Sequence, residues 1–212
     1  MMDLAIATRY ILGGIIMLIS ESKRLAKQQI KGNIGVLFVI TLVVGLVGGA
    51  VGMIPIFGSL AGSLVVTPAF GLATLKIYLG MIQGEKPRVG DLFSQFGNFW
   101  AAFKVTFLVS LFTFLWSLLL IIPGIIKAFS YSQAMYILAE DPEMGALEAI
   151  SRSKEMMKGY KLDLFGLNLS FIGWILLGIL TLGIGFIWII PYMSAAQANF
   201  YDQIKEEAVV EG

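Results

Sequence analysis

The sequence predicts an all-α membrane protein: a polytopic bundle of six transmembrane helices set out as three hairpins, with amphipathic helices on the cytoplasmic side. Three observations predict it. Charged residues are 14% of the chain against 58% hydrophobic, with mean hydropathy +0.85, whereas a soluble domain carries about 25% charge. Six apolar stretches are long enough, or nearly so, to cross a bilayer core, which takes about 20 helical residues. The charges fall in blocks between alternate stretches.

Taken in order, the first stretch runs over Ile34–Met53 and breaks at Pro55 and Gly58. The second runs over Leu60–Met81, and the third over Phe99–Ile122, stopping at Pro123-Gly124. The fourth, Ile125–Leu138, is short and holds Lys127. The fifth runs over Leu164–Leu182, and beyond Gly183 and Gly185 the sixth, again short, covers Phe186–Phe200. The turns around 54–59, 123–124 and 181–185 carry no charge, while the other connections and the ends hold nearly all of it. Lysine and arginine mark the cytoplasmic side, so both termini are expected there. That requires an even number of spans.

Residues 4–19 are apolar apart from a few positions, chiefly Thr8 and Arg9. A span here would separate the two ends, and Arg9 does not suit a signal peptide. Two readings stay open for 1–16: an interfacial helix, or a translated leader before a natural start at Met17. Leu12-Gly13-Gly14-Ile15-Ile16-Met17 can be encoded by a ribosome-binding site, a spacer and a start codon. Residues 17–212 form a single transmembrane domain.

The hairpins read as a threefold repeat of about sixty residues. Each copy has a short segment ending at Gly32-Asn33, Gly97-Asn98 or Gly159-Tyr160, then a span, an uncharged turn and a returning span. Aligning the returning spans superposes Gly71, Ser130 and Ser194, and then Thr74, Gln133 and Gln197. Helices in lipid associate through small residues and interhelical hydrogen bonds, so these helices are expected to be the inner ones. Thr74, Ser130, Gln133, Ser194 and Gln197 form a candidate intramembrane polar cluster, either packing glue or a site for a neutral ligand.

Outside the spans, 141–159 reads as an amphipathic helix. Asp141 is its N-cap, and Met144, Leu147, Ile150 and Met157 lie on one arc. Asp91–Gly97 is a shorter version. Lys23, Arg24, Lys27 and Lys31 form a basic juxtamembrane cluster, candidate contacts for anionic headgroups as well as topology determinants. Lys127 lies within a turn of an outer loop otherwise bare of charge. It either snorkels to the interface or meets a headgroup.

Several chemistries are excluded. Net charge is +1, which gives nucleic acid no purchase. There is no cysteine and no histidine, hence no thiolate and no imidazole for catalysis or metal binding. All fourteen acidic residues lie outside the six apolar cores, so an intramembrane carboxylate for ion coupling is missing. No phosphate-binding glycine loop precedes a soluble helix. The expectation is no enzyme and no cofactor.

The stretch Ile122-Pro-Gly-Ile-Ile-Lys-Ala-Phe-Ser-Tyr-Ser, with Tyr136-Ile-Leu-Ala-Glu-Asp-Pro, Ala146-Leu-Glu-Ala-Ile-Ser-Arg-Ser-Lys, Met157-Lys-Gly and Leu169-Ser-Phe-Ile-Gly-Trp, resembles a bacterial family. It is similar to the integral membrane proteins grouped as domain of unknown function 975, common in Gram-positive bacteria, over about Glu21 to Ile204. Residues 1–16 depart from that pattern. The resemblance implies a multi-pass protein of the bacterial plasma membrane and carries no activity with it. Two functions fit: a non-enzymatic scaffold or accessory protein binding lipids or a protein partner on its cytoplasmic face, or a transporter or channel for a neutral or lipid-like solute.

Overall fold

The structure, a computed structural model, describes residues 4–53 and 67–210, except the side chains at 4–13, 52, 67, 69, 119 and 207–210. The turn at 54–59 therefore lies outside what is described, while in the interfacial or leader stretch 1–16 the backbone is described from Leu4, as helix, and the side chains from Gly14. The described chain is helical: α1 Leu4–Ile30, α2 Ile34–Gly52, α3 Thr67–Ile82, α4 Phe99–Leu119, α5 Ile121–Tyr131, α6 Ala134–Glu140, α7 Ala146–Met156, α8 Lys161–Leu169, α9 Ile172–Leu180 and α10 Phe186–Val210.

Three helical stretches among the described residues are long and apolar enough to cross a membrane: Ile34–Val51, Val89–Leu118 and Lys161–Leu180. They are inside-out by the standard of a soluble core. Only 11%, 11% and 28% of the most apolar 18 residues in each are buried in the protein. Large apolar side chains crowd the surface at the α4–α5 turn (Leu118, Leu120, Ile121, Ile122) and the α9–α10 turn (Leu180, Leu182, Ile184). Such patches are tolerated only against lipid or a partner.

The six-helix, three-hairpin bundle is not what the chain forms, and the pseudo-threefold arrangement falls with it. The returning segments fail as spans for different reasons. Among the described residues, helix α3 has 16 residues and its apolar part, Phe70–Ile82, is shorter than a span needs. The fourth segment divides into α5, eleven residues, and α6, seven, with Ser132-Gln133 between them. Helix α10 has 25 residues but carries Asn199, Asp202, Gln203, Lys205 and Glu206 along its second half. The even-span argument for placing both termini on one side lapses too.

Some of the local reading holds. The residues before α2, α4 and α8 share one conformation: Asn33 (φ −110°, ψ 1°), Asn98 (−96°, 14°) and Tyr160 (−97°, 3°). Gly32 and Gly159 precede two of them at φ 87° and 89°, a region open to glycine and costly to other residues. Helices α3, α6 and α10 supply much of the buried core, including Leu72, Tyr78, Leu138, Ala196 and Phe200. The amphipathic helix is shorter than its periodicity suggests. It starts at Ala146, because Asp141 ends α6 and accepts a bond from the Glu143 amide instead of capping a helix there (3.2 Å). Met144, Ile150 and Met157 are buried as expected, whereas Leu147 is exposed.

Candidate functional site

The break between α5 and α6 is the most informative point in the molecule. Interrupting a helix frees backbone groups, which must find partners away from water. Ser153 of α7 supplies both. Its hydroxyl donates to the Ser130 carbonyl (2.9 Å) and accepts from the Gln133 amide N–H (3.1 Å). Ser153 is fully buried, so this side chain does what the next turn of helix would have done. Nothing in the sequence near Ser130 announces it, since the partner lies about twenty residues away.

Below the break lies a cavity of about 230 Å³ lined by Ala128, Phe129, Ser132, Gln133, Tyr136, Leu164, Asn168 and Gln197. Gln133 Nε2 donates to Ser132 Oγ (2.9 Å), and Ser132 Oγ donates to the Phe129 carbonyl (2.8 Å). Across the cavity Gln197 Nε2 donates to Asn168 Oδ1 (3.1 Å). Gln133 Oε1 is buried and has no hydrogen-bond partner within the protein. Of the five polar residues singled out from sequence, Gln133 and Gln197 meet here. The others do not. Thr74 bonds its own helix at the Phe70 carbonyl (2.7 Å), the Ser130 hydroxyl bonds Ile126 O (2.9 Å), and Ser194 is not among the residues that line the cavity. Asn168, which completes the site, comes from the span Lys161–Leu180 and has no counterpart at the aligned positions.

A second polar array ties α1 to α10. Gln29 and Asn199 exchange side-chain amide bonds (3.0 and 2.6 Å), and Gln203 Nε2 donates to Ser22 Oγ (3.0 Å). Residue numbers rise on one helix as they fall on the other, so the two helices are antiparallel. At the far end of this pair Glu140 accepts from Tyr201 Oη (2.9 Å) and Lys205 Nζ (2.6 Å). Burial, and then the Glu140 carboxylate, pushes the Tyr201 phenol well up.

The basic cluster divides. Lys23 turns inward, donating to Ser170 Oγ (3.1 Å) and Ser170 O (3.3 Å) at the end of α8 and lying 4.6 Å from the Phe171 ring centre. Burial lowers its pKa, with the Lys27 charge adding to the effect. Lys27 sits 5.7 Å from the Tyr192 ring, and Arg24 pairs with Glu21 on the surface. Lys31 is exposed. Lys127 rests over the Trp116 ring at 4.6 Å, so its charge meets an aromatic face of α4. A larger, open cavity of about 460 Å³ lies at the end of α3, where Lys76, Lys86 and Arg88 alternate with Glu85 and Asp91. The three cations there outnumber the two carboxylates by one.

No curated protein and no solved structure matches the chain. One family profile does, and it covers the α5–α6 break, Ser153, Asn168 and Gln197. Over residues 117–208, a 92-residue stretch, the chain matches "Protein of unknown function (DUF975)", a family of membrane proteins.

Proposed function

We propose that this membrane protein is a non-enzymatic scaffold or accessory protein that holds lipids or a protein partner. One observation carries the reading: several polar side chains away from the charged ends bond from one helix to another. Gln29 with Asn199, Gln197 with Asn168 and Ser153 with the α5–α6 break each join two helices. Groups committed in this way lock a bundle rather than solvate a passing solute. The partner-facing element is α7, whose outer side presents Leu147, Glu148, Arg152 and Glu155. Location in a bacterial plasma membrane, with the charged ends toward the cytoplasm, is part of the proposal. Its support is the placing of the lysines and the contact of Ser22 with Gln203, which sets the two charged termini side by side.

Site-specific photo-crosslinking from Leu147 in native membranes tests it. The reading expects one discrete adduct, lost on reversing the exposed pair with Glu148→Arg. Failure to crosslink from any exposed α7 position would reject it.

A further inference from the structure

We propose that the open cavity at the end of α3 holds the headgroup of phosphatidylethanolamine, its phosphate among Lys76, Lys86 and Arg88 and its ammonium against Glu85. The cavity measures about 460 Å³, inside the range of about 300–1,000 Å³ usual for ligand sites. Among the described residues, none of its three cations lies within ion-pairing distance of a carboxylate. The local fold sets the place of Glu85. Gly84, at φ 86°, closes α3 with a Schellman turn, in which the Glu85 N–H donates to Gly80 O (2.9 Å) and the Gly84 N–H to Met81 O (3.2 Å). The carboxylate thereby lies against the last turn of the helix: a Cβ on Gly80 would stand 2.6 Å from Glu85 Oε2. Negative charge is disfavoured at a helix C-terminus, where a cation is stabilised. Asp91 is committed elsewhere, since its Oδ2 accepts from the Arg88 amide N–H (3.0 Å).

The two signs of charge set the class. The cations suit a phosphate, which guanidinium and ammonium groups bind with charge-assisted hydrogen bonds. An anionic head without an amine would bring more negative charge beside Glu85 and leave the helix end uncovered. A choline carries positive charge but no N–H, whereas a primary ammonium is a hydrogen-bond donor. The position makes the source a lipid. Arg88 precedes the span Val89–Leu118, and Asp91 and Ser94 of the same lining lie at its start. Phe93, Phe96 and Trp100 follow on that segment with exposed rings, Phe93 stacked on Phe96 at 5.9 Å. Exposed aromatic side chains gather at the membrane–water interface, so the cavity stands at headgroup depth. The site is separate from the α7 surface and does not depend on the reading given to that helix.

The test uses the full chain in phosphatidylcholine nanodiscs containing a phosphatidylethanolamine with a photoactivatable group near its glycerol, the adducts being mapped by mass spectrometry. Labelling is expected on the peptides holding 73–77 and 88–100. Unlabelled phosphatidylethanolamine should compete about tenfold better than phosphatidylglycerol, the worth of one charge-assisted hydrogen bond, and soluble phosphoethanolamine at the same concentration should not compete. Glu85→Gln should weaken labelling about tenfold and remove the preference over phosphatidylglycerol. Lys86→Gln combined with Arg88→Gln should weaken the capture of both lipids. All three positions are exposed, so these variants keep the fold. Labelling spread along all lipid-facing helices, or unchanged in Glu85→Gln, would overturn the proposal. Competition by phosphatidylglycerol as effective as by phosphatidylethanolamine would overturn the pairing of the ammonium with Glu85. Competition by phosphoethanolamine as effective as by the lipid would overturn the assignment to a lipid.

Discussion

The side-chain amides of Gln29 and Asn199 bond each other in both directions, at 3.0 and 2.6 Å, across the antiparallel α1–α10 contact. Asn199 is 1% exposed, so its amide has no water to fall back on. Replacing one partner strands the other. Gln29→Leu or Asn199→Leu is expected to cost about 1–2 kcal/mol, and the double variant less than the sum. Unfolding in mixed micelles across the double-mutant cycle checks this, with a coupling of about 1 kcal/mol expected.

Lys23 and Lys31 look alike in sequence, four-residue steps of one basic stripe, yet the structure gives them different work. Lys23 holds the C-terminal carbonyl of α8 and covers Phe171, whereas Lys31 is exposed. Lys23→Met should destabilise the fold by about 1 kcal/mol, because a cation at a helix C-terminus is lost. Lys31→Met should fall within about 0.5 kcal/mol of the parent. Thermal unfolding of the two variants in one detergent separates them.

At the α4–α5 turn, a Cβ on Gly124 would stand 2.8 Å from Ser117 Cα, closer than packed atoms allow. The backbones of the two helices meet there because glycine permits it. Gly124→Ala should cost about 1–3 kcal/mol through overpacking. Protease accessibility of the turn should rise with it.

Composition and charge spacing were enough to read a membrane protein and the spans over α2, α4 and α8–α9. They failed where the outcome depends on a distant residue. Ile125–Leu138 is apolar enough to continue as one helix, and only Ser153, on a different helix, makes the break at Ser132-Gln133 affordable. That Gln133 and Gln197 line one cavity was half legible, since the alignment of returning segments put both at one level. Thr74 could not be told apart in this way, because a threonine bonded to its own helix looks the same in sequence as one that lines a cavity. Asn168 was missed because a lone asparagine in an apolar span carries no periodic signal.

Asp202 supplies a pH test. Burial raises its pKa, Lys205 opposes this, and Glu206 and Glu140 add to the rise. A carboxyl whose folded pKa is raised makes the folded state the tighter proton binder, so stability falls as pH climbs from the ordinary carboxylate range through the folded value. Asp202→Asn removes that loss. The variant should melt above the parent at pH about 8, and the gap should close toward pH about 3, below the ordinary aspartate pKa. Melting curves at the two pH values check the sign.

Flux through proteoliposomes tests the central claim, that the polar side chains join helices and form no path. Purified protein reconstituted at high density is loaded with neutral polyols and amino acids, and solute release is followed against empty liposomes. The account predicts equal release from both. Saturable, protein-dependent release that is lost in Gln133→Leu or Gln197→Leu would contradict it.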